Sequence, residues 1–130
     1  MLKKMRDMPH GTIGFEAVGD VEDDDYEEVV APALRQWISE RGKIRLLYLF
    51  GPRLAEYEGD ALAEEAKFVA AHPAAYERVA VVSDESWLRP ALATLSVLLP
   101  GRAKTFPVRD LTAAKAWLAE GLEPAGPSSR

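Results

Sequence analysis

The spacing of apolar positions changes several times along the chain, and each spacing predicts an element. Met1 to Met8 and Thr12 to Gly19 flank Pro9-His10-Gly11, the pattern of a hairpin of two short strands around a turn. In the second, Ile13, Phe15 and Ala17 alternate with Thr12, Gly14 and Glu16, so the first set faces a core. The rhythm then becomes helical: Tyr26, Val29, Val30, Ala33, Leu34, Trp37 and Ile38 recur at i, i+3, i+4. Asp24 and Glu27 have the spacing of a capping box, and Gly42 suits the position after the last helical residue. Pro32 removes one backbone donor inside this helix and predicts a kink.

Lys43 to Phe50, "KIRLLYLF", is almost continuously apolar, as expected of a strand covered on both faces. Gly51-Pro52 ends it, and a long loop leads to Asp60, the predicted cap of the helix "ALAEEAKFVAA", with Leu62, Ala66 and Val69 on one side and Pro73 as the stop. "RVAVVSD" is another buried strand, expected beside and parallel to Lys43–Phe50. "AKTFPVRD" is the last strand, and Pro107 predicts that it lies at an edge. Asp110 then caps "LTAAKAWLAEG", in which Ala114, Trp117 and Leu118 share a face. The order β-β-α-β-α-β-α-β-α implies a single small α/β domain over residues 1–122, with a mixed, mostly parallel sheet and flanking helices. Residues 123–130, "EPAGPSSR", read as a disordered tail.

The stretch "SDESWLRPALATLSVLLPG", Ser83 to Gly101, departs from the other helices. At ~100° per residue, Trp87, Leu88, Ala91, Leu92, Leu95, Leu98 and Leu99 fill an arc of about 140°, a normal core face. The opposite side holds Arg89, Pro90, Ala93, Thr94, Ser96 and Val97, with one charge among them. The first helix, by contrast, carries Glu27, Glu28, Arg35, Glu40 and Arg41 outside. A bare outer face is explained by deeper burial, for example in a homodimer, or by contact with an apolar ligand or a lipid surface.

Composition narrows the choice. With 130 residues the chain suits one domain, and 48% hydrophobic with 28% charged residues suits a globular one. A net charge of −5 argues against nucleic acid, which is bound through phosphate neutralisation by Lys and Arg. The absence of cysteine excludes disulfides, thiolate catalysis and Cys-ligated zinc. No run approaches the ~20 apolar residues of a membrane span, and no secretory pattern follows the basic N-terminus, so a cytoplasmic location, with peripheral membrane contact as a variant, is expected.

The residues "GFEAVGDVEDDDYEEVVAPAL", "GKIRLLYLF", "YERVAVVSDESW" and "TFPVRDLTAAKAWL" together resemble the SpoIIAA-like group within the STAS domain fold, from about Leu2 to Leu122. The resemblance implies a non-enzymatic binding module. In the anti-sigma antagonist branch a Ser or Thr opening the second helix is phosphorylated and controls partner binding. Here Gly51 to Glu65 holds neither residue, and Asp60 supplies a carboxylate at the cap instead.

Other chemistry finds little footing. Asp20 to Glu28 holds seven carboxylates, but an EF-hand-type loop counted from Asp20 would need Gly and Glu where Asp25 and Ala31 stand. Acids at a helix start are favoured by its dipole. His10 and His72 have turn and helix-end positions, and Ser83, Asp84 and Ser86 read as caps rather than a nucleophile elbow. No metal or cofactor is expected. The expected function is weak, reversible binding of an apolar ligand or membrane surface through Trp87, Leu88, Leu92, Leu95, Val97, Leu98 and Leu99, with Tyr48 and Phe50 at the aromatic end of the central strand. The alternative is a STAS-style regulatory protein-interaction domain without the phosphorylatable residue.

Overall fold

The computed structural model describes residues 1–57 and 67–122, with the side chains of Asp23, Tyr57, Trp87 and Ala91 outside that set. The predicted Asp60 cap, the Leu62 and Ala66 positions and the 123–130 tail therefore lie outside the described residues. Strands β1 (Leu2–Lys4), β2 (Ile13–Ala17), β4 (Ile44–Phe50), β6 (Tyr76–Ser83) and β7 (Ala103–Phe106) form one sheet in the order β1-β2-β4-β6-β7. β1 pairs antiparallel with β2, and every other neighbour is parallel. β4 and β6 are adjacent and central, in register from Leu46↔Val79 to Phe50↔Ser83. β7 lies at the edge, as Pro107 predicts.

The strands progress in one direction across the sheet. Crossovers of one hand then stack their helices on one face. Thus α2 (Ala31–Arg41), the helical residues 67–71 (α3) and α4 (Arg89–Leu98) share a core with Ile44, Leu46, Tyr48 and Phe50 of β4. The alternate residues Leu47 and Leu49, with Ala80 and Val82 of β6, meet Ala114 and Leu118 of α5 (Leu111–Leu118) on the other face. The period-2 alternation of side chains is what lets one apolar strand feed two cores. In β2, Ile13, Phe15 and Ala17 are buried in the first core as predicted. Gly14 faces the other way, where an added Cβ would stand 2.8 Å from Met8 Sδ.

Three local features differ from expectation. First, β3 (Gly19–Val21), between the predicted second strand and the first helix, forms a small parallel pair with β5 (Leu54–Tyr57), which lies in the segment expected to be a loop; Gly19 N–H also donates to the Arg53 carbonyl at 2.7 Å. Second, the capping geometry at the first helix is shifted upstream: the Asp25 carboxylate accepts the Glu22 N–H at 2.9 Å, before the helical turn α1 (Asp23–Asp25). Third, Pro32 is accommodated by a π-helical segment, Tyr26–Val30, rather than by a simple bend. The Ala31 N–H reaches back to the Tyr26 carbonyl, five residues away, so the wider turn spends its irregularity just before the residue that cannot donate.

Candidate functional site

The stretch from Ser83 to Gly101 folds as a 3-10 turn, Ser86–Leu88, running into α4. Pro90 sits in the first turn, where its missing N–H costs nothing. Gly101, at φ +73°, turns the chain after Leu99 towards β7. For the described residues the two faces follow the helical spacing of the sequence, with Trp87 and Ala91 outside that set. Leu88 and Leu99 are buried, and Leu92, Leu95 and Leu98 are half-buried against the core. Arg89, Pro90, Ala93, Thr94, Ser96 and Val97 are exposed. Val97 is 78% exposed, far above the next most exposed large apolar side chains among the described residues, Met1 at 53% and Val29 at 38%.

The sequence-predicted residues therefore divide. Leu88, Leu99, Tyr48 and Phe50 are interior: the Tyr48 ring lies 6.2 Å from Phe15 and 6.0 Å from Phe50, inside the core shared by the first three crossovers. Leu92 and Leu95 are core on one side and line a surface groove on the other. Leu98 packs against the core, and among the described members of the predicted set Val97 alone is largely offered to solvent. The Trp87 side chain lies outside the described residues.

The groove has a volume of about 350 Å³ and runs between α4 and the edge strand β7. Arg89, Leu92, Ala93, Leu95 and Ser96 form its helical wall, and Val81, Ala103, Lys104 and Thr105 its sheet side. The Thr94 hydroxyl donates to the Pro90 carbonyl at 3.2 Å, so it is turned into the helix. Lys104 and Thr105 are absent from the sequence-predicted set, and Arg89, Ala93 and Ser96 enter the sequence reading only as the outer face of the helix. For the two cations, Arg89 and Lys104, the sequence carries one signal. Between Ser86 and Arg109 the chain carries four cations, Arg89, Arg102, Lys104 and Arg109, and no carboxylate, although its net charge is −5.

The junction at the end of β6 is structural in its bonds. The Ser83 hydroxyl accepts the Glu85 N–H at 2.9 Å, and the Asp84 carboxylate accepts the Val108 N–H at 3.1 Å. The acidic stretch contributes Asp25 to the turn already described. His72 Nδ1 lies 3.0 Å from the Phe68 carbonyl, with the ring stacked 4.5 Å from that of Phe68, as suits a residue ending a helix. A second depression of about 430 Å³ lies between α2 and residues 67–72, lined by Tyr26, Glu27, Ala31, Arg35, Lys67, Phe68, Ala71 and His72. No described helix is long and apolar enough to cross a membrane.

Comparison with known proteins agrees with this architecture. A solved structure of an uncharacterized protein from the DUF3478 family with a SpoIIAA-like fold, from Shewanella loihica PV-4, superposes with a TM-score of 0.65 at 24% identity, covering 91% of this chain and 92% of that one. At that identity it speaks for the fold alone. No curated protein matches the chain. The model of the SpoIIAA-like family matches residues 12–119, nearly all of the sheet and its helices. The chain belongs to the SpoIIAA-like family.

Proposed function

We propose that the protein is a non-enzymatic interaction domain that docks a protein partner through the outer face of α4. The observation that carries this reading is the composition of that face: Arg89, Pro90, Ala93, Thr94, Ser96 and Val97 are exposed, with a single charge among them and a large apolar side chain, Val97, that is 78% exposed. A solvated helix face ordinarily carries several charges.

The occupant follows from what the helix has left to offer. Leu88, Leu99, Tyr48 and Phe50 are committed to the core. Burying Val97 alone would gain ~1.5–3 kcal/mol, whereas association costs at least ~4 kcal/mol. A lipid surface takes up apolar area and charge but has little use for the small, flat Ala93, Ser96 and Thr94. A protein surface packs against such residues closely. A second reading, an apolar small molecule, is favoured by one observation: Leu92 and Leu95 wall the groove beside the helix.

The test is selection of binders from a random peptide library displayed on phage, followed by affinity measurement on surface variants. Val97→Lys should weaken the selected peptides about tenfold or more, equal to ~1.4 kcal/mol, while Thr112→Lys on the opposite side of the domain leaves them unchanged. Peptides indifferent to Val97→Lys would contradict the reading. Flotation of the wild type, but not of Val97→Lys, with phosphatidylglycerol vesicles would replace the protein partner by a membrane.

A further inference from the structure

We propose that β7 accepts an extended segment of that partner as an added strand, with acidic side chains alternating with apolar ones. The inference rests on the helix-face reading and specifies the chemistry of what docks there.

The edge is open in a defined way. Val79 N–H donates to the Arg102 carbonyl at 2.8 Å. In a parallel pair the N–H and C=O of one residue point to the same side, and successive residues alternate. Lys104 and Phe106 thus direct their backbone groups at β6, and Ala103 and Thr105 direct theirs outward. No strand lies beyond β7 among the described residues. Two outward donors and two outward acceptors make a short template for strand pairing.

The surroundings select the occupant. Alternate side chains of an added strand would face opposite sides of the sheet. One set meets the groove against α4, where Val81, Leu92, Leu95 and Ala103 favour apolar residues. The other set meets Lys104, whose ammonium lies 5.2 Å from the Phe106 ring and 5.9 Å from that of Trp117 on the α5 side. An acid fits there. Arg89, on the helical wall of the groove, adds a second positive charge beside it, whereas Arg102 is turned to the Pro73 and Tyr76 carbonyls. A second copy is disfavoured by the same charges, because two-fold pairing would set this basic unit against itself.

The probe is a capped octapeptide of alternating Glu and Val, with its Lys–Val counterpart as control, titrated against the full chain. The wild type should bind the Glu–Val peptide at least about tenfold more tightly than the Lys–Val peptide, and more weakly as salt rises. Thr105→Pro removes an outward donor without touching the β6 ladder, and should abolish binding while circular dichroism stays native. Lys104→Glu leaves the backbone intact and should reverse the preference between the two peptides, a test that holds even if the proline variant fails to fold. Equal binding of both peptides, or no change in Lys104→Glu, would overturn strand addition. If Val97→Lys still weakens library-selected binders, the helix-face reading survives that result. If it does not, both fall together.

Discussion

The Asp84 carboxylate accepts the backbone N–H of Val108 at 3.1 Å, tying the end of β6 to the turn that follows β7. The 3-10 turn Val108–Asp110 receives no cap from its own preceding residue, Pro107, and Asp110 makes no capping bond to α5. A residue one crossover away does that work. Asp84→Ala should therefore destabilise the fold by about 1 kcal/mol, the usual worth of a lost cap, and Asp84→Asn by less. Urea unfolding monitored by tryptophan fluorescence would measure both. A silent Asp84→Ala would mean that the bond is not maintained in solution.

Arg45 fastens the C-terminal end of α5. Its Nε donates to Glu77 Oε1 at 2.7 Å, and one Nη donates to the carbonyls of Leu118 at 2.9 Å and Glu120 at 2.5 Å. Helix-end carbonyls lack partners of their own, and the guanidinium fork reaches two at once. Arg45→Ala should cost roughly 2–3 kcal/mol, and Arg45→Lys should recover only part of that, because an ammonium cannot span the same set. Full recovery in the lysine variant would reduce the role of Arg45 to simple charge.

Lys115 Nζ donates to Asp7 Oδ2 at 2.8 Å, and this bond is the leading reason that the Asp7 carboxyl titrates below its ordinary value of 3.8. The native value lies below the unfolded one, so the pair stabilises the fold at neutral pH and loses its effect as pH falls through the native value. Asp7 is largely exposed, which limits the contribution to ~0.2–1 kcal/mol. In Lys115→Met, an NMR titration should show the Asp7 carboxyl returning upward, and stability at neutral pH should fall slightly. At acid pH the variant and wild type should converge.

Val97 near the end of α4 and Leu99 just after it stand in two regimes. Leu99 is fully buried and Val97 is 78% exposed. Leu99→Ala should cost roughly 2–5 kcal/mol, and Val97→Ala within ~0.5 kcal/mol. Similar costs at the two positions would mean that the outer face is buried in the isolated protein.

These faces were legible in the sequence because a 3.6-residue rhythm sustained over Leu88, Leu92, Leu95 and Leu99 has one solution. The buried β4 and β6 were legible for the same kind of reason, their apolar runs being too continuous for a one-sided sheet. The strands Gly19–Val21 and Leu54–Tyr57 were not, since three or four residues carry no period and their pairing brings together segments far apart in sequence. The π-helical segment was hidden too: Pro32 announces a missing donor but not how the preceding turn adapts. Of the candidate site, the bare helix face could be read. The groove could not, because it depends on where β7 comes to rest beside α4.

The most direct test of the docking surface is chemical-shift mapping on isotope-labelled full-length protein titrated with a library-selected peptide. The shifts should concentrate on Arg89 to Val97 and on Ala103 to Phe106, and vanish in Val97→Lys. Shifts centred instead on Arg35, Lys67 and His72, across the depression between α2 and residues 67–72, would contradict it.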